Sequence, residues 1–198
     1  MTKLLLASTV RKAETSVDPL FIDRWSPRAM SGEKISKAEL MPLFEAAKWA
    51  PSCYNEQPWR FLYALKDSPQ WKVFFDLMVE FNQGWTKDAA ALVVILSRKT
   101  STHNGAPFPT HSFDTGAAWG NFSLQGTKLG LVVHGMAGFD YDKARTALKI
   151  PDHYKVEAMA AVGKPGDKNS LPQGLAEKEL PSSRRPLAET VFEGTITE

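Results

Sequence analysis

The chain has 198 residues, 43% of them hydrophobic, with 24 lysines and arginines against 22 aspartates and glutamates. That is enough apolar material for one packed domain, and a net charge of +2 gives no footprint for a nucleic-acid partner. A single cysteine, Cys53, excludes an internal disulfide and a cysteine-rich zinc site and fits a reducing, cytoplasmic compartment, while no run approaches the ~20 apolar residues of a membrane span.

Residues 1–18 read as an N-terminal arm or a short helix; Leu4 to Ala7 is too short for a signal-peptide core. Asp23 to Ser31, with Trp25 and Pro27 among polar groups, reads as a structured loop. Ser36 to Ala50 is a helix. Ser36 and Glu39 form a capping box, Ile35 is placed to staple onto Leu40, and Leu40, Leu43, Phe44 and Ala47 recur at helical spacing. Pro42 lacks the amide that would bond the Ala38 carbonyl, so it predicts bent first turns or a later start. Pro51 stops the helix, because the residue before a proline avoids helical geometry. A rigid loop follows, Ala50-Pro51-Ser52-Cys53-Tyr54-Asn55-Glu56-Gln57-Pro58-Trp59-Arg60-Phe61. Its Ser52, Asn55 and Gln57 present several hydrogen-bonding groups to one flat, polar-edged ligand.

Phe61 to Leu65 is a strand. Ser68-Pro69 reads as an N-cap and first-turn proline, opening a helix whose buried stripe is Trp71, Phe74, Phe75 and Met78. Ala89 to Leu96 is nearly all apolar, as a strand covered on both faces is. Residues 100–112 lack periodicity and form a loop. Asp114 to Leu129 is a second long helix. Its Gly116, Gly120, Ser123 and Thr127 at helical spacing suit either tight packing within one subunit or a subunit interface. Leu131 to His134 is a short strand or turn, Asp142 to Ile150 a short helix ended by Pro151, and Ala158 to Val162 a buried strand. Gly163 to Pro186 is a long polar connection, a length that goes with function or with an arm over a neighbour. Helices thus lie between about four strands: an α/β (α+β) fold, with a mixed central sheet flanked by helices. Residues 1–198 form one domain, with 1–18 as an arm and 164–198 as a C-terminal extension.

Two basic clusters carry the candidate chemistry. Arg24-Trp25-Ser26-Pro27-Arg28 sets two guanidinium groups around a hydroxyl, and Ser183-Arg184-Arg185-Pro186 repeats the theme. The planar fork of arginine matches phosphate oxygens, so converging clusters would hold one phosphomonoester. The usual nucleotide cradles are missing: no G-x-G-x-x-G follows a strand and no Walker lysine motif exists. Gly163-Lys164-Pro165-Gly166 reads as a turn. His103, His111, His134 and His153 lack metal-ligand spacing. Cys53 has no evident histidine partner, and Ser52 lacks the G-x-S-x-G elbow of a hydrolase.

Taken in order, these segments resemble the nitroreductase family of flavin enzymes over roughly residues 20–165 and the stretch around 184. The resemblance rests on Arg24-x-Ser26-x-Arg28, on the loop of residues 50–61, and on Asp114-x-Gly116 through Asn121 and Leu124 to Leu129-Gly130-Leu131. Gly138-Phe139-Asp140, Ile150-Pro151, Gly163-x-Pro165 and Arg184-Arg185-Pro186-Leu187 complete it. It implies FMN held non-covalently between the subunits of an intertwined homodimer. It also implies ping-pong hydride transfer from NADH or NADPH to nitroaromatics, quinones or similar electron-poor acceptors.

By position in the motifs, Arg24, Ser26, Arg184 and Arg185 would hold the phosphate, with Trp25 in the same segment and Arg28 near the flavin N1 and O2 edge. Pro51, Ser52, Asn55 and Gln57 would line the ring or ribityl chain. Asn82 would reach the pyrimidine edge, and the Gly138 amide, after Ala137, would point at N5. The chain needs no nucleophile of its own, because the cofactor carries the chemistry and a fixed positive charge beside N1 and O2 stabilises its reduced form. Ala137 stands where many members carry glutamate, and Cys53-Tyr54 where Ala-Gly is common. A non-catalytic flavin binder or sensor, and a dehalogenase-like or flavin-consuming member, are the alternatives.

Overall fold

The computed structural model describes residues 2–196 and is organised around one four-stranded sheet. The elements in chain order are α1 (Pro19–Asp23), α2 (Lys37–Lys48), β1 (Trp59–Leu65), α3 (Trp71–Phe75), α4 (Glu80–Thr86), β2 (Ala91–Arg98), α5 (His111–Lys128), β3 (Val132–Met136), α6 (Tyr141–Ala147), β4 (Tyr154–Gly163) and α7 (Gln173–Ala176). The strands lie in the order β1-β2-β4-β3. The mixed sheet expected from the sequence is corrected in one respect: every pairing among the described residues is antiparallel.

Strand alternation divides the core in two. Leu92, Val94 and Leu96 of β2 and Met159 and Ala161 of β4 face a cluster with Phe74, Met78, Trp85, Ala144 and Leu175, so α3, α4, α6 and α7 cover that side. Ala91, Val93 and Ile95, with Ala160 and Val162, face Leu40, Leu43 and Ala47 of α2 and Ala118 and Phe122 of α5. Each such leucine contributes about 2 kcal/mol by leaving water. Phe44, Phe61 and Phe122 close this second layer, with ring centroids 5.2–5.9 Å apart.

Local rules account for the boundaries. The capping box is present at α2: Glu39 N–H donates to Ser36 Oγ at 3.2 Å and Ser36 N–H to Glu39 Oε2 at 2.8 Å. Ile35 and Leu40 are buried in the same cluster, as the staple requires. Pro42 lies inside α2 without delaying its start, because the cap already fixes Lys37 as the first helical residue. Ser68 is not an N-cap; α3 begins at Trp71 after Gln70, and the Ser68 hydroxyl is buried without a partner.

α5 starts three residues before the expected Asp114, and β4 starts four before the expected Ala158. The β4 reading stopped short because Lys155 and Glu157 interrupt the apolar run; Glu157 is the extra residue of a β-bulge opposite the Ile95/Leu96 step. Gly163 to Pro186 is more than a connection: Leu171 and Leu175 are buried in the first core cluster. No helix among the described residues is long and apolar enough to cross a membrane.

Candidate functional site

The site starts at α1, a helix that Asp18 and Pro19 specify. The Asp18 carboxylate accepts the Leu20 amide at 2.8 Å, and proline occupies the first turn, where its missing N–H is harmless. The chain leaves α1 at Arg24 in extended geometry and then alternates. Arg24, Ser26 and Arg28 are half-buried, while Trp25, Pro27 and Ala29 are buried beneath them. The Trp25 indole N–H donates to the Leu5 carbonyl at 3.0 Å. The Pro27 carbonyl lies 3.0 Å from His134 Nδ1 on β3, whose ring packs 4.6 Å from Trp85. Burial pushes the His134 pKa down to about 4, so at neutral pH its ring is uncharged and Nδ1–H donates to Pro27. The segment is thereby fixed on its core side and presents Arg24 and Ser26 on the other; Arg24 Nη1 lies 3.3 Å from Ser26 Oγ.

The distant basic cluster converges on it. Burial and the Arg184 charge both push the Arg24 guanidinium below its ordinary pKa. Arg11 joins them: its pKa is lowered by burial, by Arg184 and by Arg24, and its guanidinium donates to the Ile22, Arg24 and Ser182 carbonyls at 3.0, 3.0 and 2.8 Å. Those bonds tie the N-terminal arm, α1 and the C-terminal extension into one corner. Among the described residues none of these three arginines pairs with a carboxylate. Three cations at close quarters repel unless an anion sits among them. Arg185 points elsewhere, 3.5 Å from Glu189 and 79% exposed.

Arg24 and Ser26 open onto a cleft of about 770 Å³. Gly116, Trp119 and Gly120 of α5 form one wall, and Met136, Ala137 and Ala158 at the sheet another. The small-residue stripe resolves here: a Cβ on Gly116 or Gly120 would meet nothing within 4 Å, so these two face open space. The bulge residue Glu157 also lines the cleft and accepts from Ser97 and Ser112 hydroxyls at 2.5 and 2.6 Å and from Lys155 at 2.9 Å. Burial raises its pKa, but these donors outweigh burial and leave it below the ordinary value, so Glu157 is an anion rather than a proton donor.

Beside Ala137, the Gly138 carbonyl accepts the Val79 amide at 3.1 Å and Asn82 Nδ2 at 2.9 Å, while Asn82 Oδ1 accepts the Trp85 indole N–H at 3.2 Å. Asn82 therefore spends its amide holding Gly138. A side chain at 138 has no room: its Cβ would lie 2.6 Å from Asn82 Nδ2. The Gly138 N–H donates to no group among the described residues.

The loop after α2 lies apart. Pro51, Ser52, Asn55 and Gln57 are not on the cleft; Cys53 N–H instead donates to Asp114 at the start of α5, at 3.1 Å. Tyr54, Asn55 and Gln57 all adopt left-handed backbone geometry, with φ of 50°, 55° and 48°. Ser52 Oγ stabilises the turn by accepting the Gln57 amide at 3.0 Å. Glu56 accepts from the Ser101 hydroxyl and from Thr102, which holds its pKa at about 2 and locks this loop to the 100–110 loop. Tyr54 at its tip is 88% exposed.

Of the residues marked in the sequence, Arg24, Ser26 and Ala137 line one cleft, with the Arg184 charge acting on Arg24 and the Gly138–Asn82 pair adjoining Ala137. The chain keeps Pro51, Ser52, Asn55 and Gln57 at another place, directs Arg28 to Glu179 at 3.7 Å, and buries Trp25 as support. Arg11, Glu179 and the bracing role of His134 were not foreseen; each acts through a partner far away in the chain.

The Nitroreductase family model matches residues 22–70 and 62–164. The chain belongs to that family, and its α+β architecture is a nitroreductase fold. A crystal structure described as an oxidoreductase containing FMN is 49% identical, with a TM-score of 0.91 over 94% of this chain and 96% of its own. A structure from Desulfovibrio desulfuricans, solved in complex with FMN, is 25% identical with a TM-score of 0.70 over 92% of this chain and all of its own (100%). An NADH dehydrogenase of Thermus thermophilus is 25% identical over 202 aligned positions, covering 86% of this chain and 92% of that protein.

Proposed function

We propose that this member of the nitroreductase family is an FMN-dependent reductase. It takes electrons from NADH or NADPH and passes them to nitroaromatics, quinones or similar electron-poor acceptors, one substrate at a time. The observation that carries the reading is the arginine corner: Arg24 opens onto the cleft, burial and the Arg184 charge lower the pKa values of Arg24 and Arg11, and among the described residues none of the three pairs with a carboxylate. A phosphomonoester relieves that repulsion and gains charge-assisted hydrogen bonds. FMN, when bound, supplies the electron exchange that no side chain provides.

The chain's own residues divide the remaining work. Arg24, Ser26 and Arg184 hold the phosphate, with Arg185 at its margin. Arg28 lends positive charge to the pyrimidine edge. Asn82 locks the Gly138 carbonyl and so directs the unpartnered Gly138 amide toward the cofactor's N5. Ala137, having no carboxylate, adds no charge to that wall. Pro51, Ser52, Asn55 and Gln57 sit away from their own chain's cleft, which supports a homodimer in which each subunit lends this loop to its partner's site. The open Gly116 and Gly120 face supports the same assembly.

The test is direct. Purified protein should be yellow with stoichiometric FMN. Anaerobic NADH or NADPH should bleach it, and a quinone or nitroaromatic should restore the colour. Folded protein that neither contains nor takes up FMN refutes the proposal. Flavin that no nicotinamide bleaches makes the protein a binder instead of a reductase.

A further inference from the structure

Glu179 has no place in the assignments above, yet it is built into the arginine segment from the far end of the chain. It follows α7, is 5% exposed, and reaches across 150 residues of sequence. Its Oε1 accepts two consecutive backbone amides, those of Arg28 and Ala29, the latter at 2.8 Å. Its Oε2 lies 3.7 Å from Arg28 Nη1 and accepts no hydrogen bond among the described residues. A buried carboxylate is a poor choice for stability alone, since its desolvation offsets most of what pairing returns. What it does here is specific: it clamps the backbone between Ser26 and Met30 and sets an anion against one arginine of the pair. Among the described residues Arg28 has this carboxylate beside it and Arg24 has none.

We propose that Glu179 is a positioning residue of the flavin site: it holds the Arg24–Ala29 backbone in register and offsets the charge of Arg28, so that the site favours the reduced over the oxidised cofactor less than Arg28 alone would. This rests on the FMN reading. Reduction adds negative charge to the cofactor, so a bare guanidinium nearby favours the reduced form and a carboxylate beside it opposes that preference.

Holoprotein of the wild type, Glu179→Gln, Glu179→Ala, Arg28→Gln and the double Gln variant separates the two contributions. FMN dissociation constants are read by flavin fluorescence and midpoint potentials by anaerobic titration against a reference dye. Glu179→Gln keeps an amide oxygen for the backbone clamp, so binding of oxidised FMN stays within about threefold. The ratio of reduced to oxidised affinity rises about tenfold, a shift of about +30 mV for a two-electron couple. Glu179→Ala also orphans two buried amides, and oxidised FMN binds about tenfold more weakly. Arg28→Gln moves the potential down, and in that background Glu179→Gln moves it up again by about its shift in the wild type, because the two charges act additively on the cofactor.

An unchanged or lowered potential in Glu179→Gln overturns the inference while leaving the FMN reading intact. If that variant does not fold, Arg28→Gln decides, and an unchanged potential there overturns it too. A wild type that binds no FMN defeats the FMN reading instead, and this inference with it.

Discussion

At the scale of single residues, the arginine corner divides by company. The Arg184 charge acts on Arg24, whereas Arg185 lies 3.5 Å from Glu189. Losing one charge-assisted contact to phosphate costs about 1.5–3 kcal/mol, or roughly 10–100-fold in affinity. Arg24→Ala and Arg184→Ala should each weaken FMN binding by that factor, and Arg185→Ala by less than threefold, as read by fluorescence titration of the apoprotein. Equal losses at 184 and 185 would move the phosphate toward the surface. His134 makes a second residue-level prediction. Its pKa falls from an ordinary 6.5 to about 4 because burial disfavours the charged ring. The unfolded chain therefore takes up this proton at a higher pH than the folded one, and the contribution is complete above pH 6.5. It is lost as pH falls toward 4, by up to about 3 kcal/mol. Urea unfolding between pH 7 and 4 should show that acid limb, and His134→Gln should be less stable at pH 7 but flatter with pH.

At the scale of elements, α5 carries two kinds of glycine. A Cβ on Gly126 would come 2.3 Å from Val133 Cγ2, so α5 packs against β3 only because that position is bare. Gly126→Ala should cost about 1–3 kcal/mol by overpacking. Gly116→Ala and Gly120→Ala meet nothing and should raise the stability of an isolated subunit by about 1 kcal/mol each through helix propensity. If a second copy packs on that face, the same two changes should also loosen the dimer in dilution experiments by light scattering; an unaltered dimer would place the interface elsewhere. The stripe was readable in the sequence, but its surroundings were not, because spacing tells which residues share a face and not what lies opposite. The same limit explains other differences. α2 was legible through its capping box and apolar spacing. β2 was legible as an apolar run. β4 was cut short because Lys155 and Glu157 interrupt its pattern, and α7 is too brief for periodicity to register. Asp18-Pro19 did carry a cap signal for α1, though only five residues follow it.

At the scale of the molecule, the motifs at residues 24–28 and 184–185 are both legible as chemistry; their closing on one phosphate is an expectation from the affinity of each for such a group, and Arg185 lies beside Glu189 instead. Arg11 and Glu179 were not legible: an ordinary arginine and an ordinary glutamate gain meaning only through contacts more than a hundred residues away. The separation of the 52–57 loop from the cleft yields a prediction at this scale. If the protein is the proposed homodimer, its Arg24→Ala and Asn55→Ala forms should each bind FMN weakly. Mixed dimers of the two should regain one good site, since one interface then keeps both an intact arginine corner and an intact loop. No recovery on mixing would mean that loop and corner serve the same subunit's site or none.

The clasp between Glu179 and the amides of Arg28 and Ala29 also fixes an order of events during synthesis. The ribosome makes the arginine segment about 150 residues before its acceptor. Until residues 179–184 leave the exit tunnel, those amides have no carboxylate to hold them and Arg24 does not feel the Arg184 charge. A coenzyme seat of the kind proposed would therefore be complete only once residues 179 and 184 are both in place.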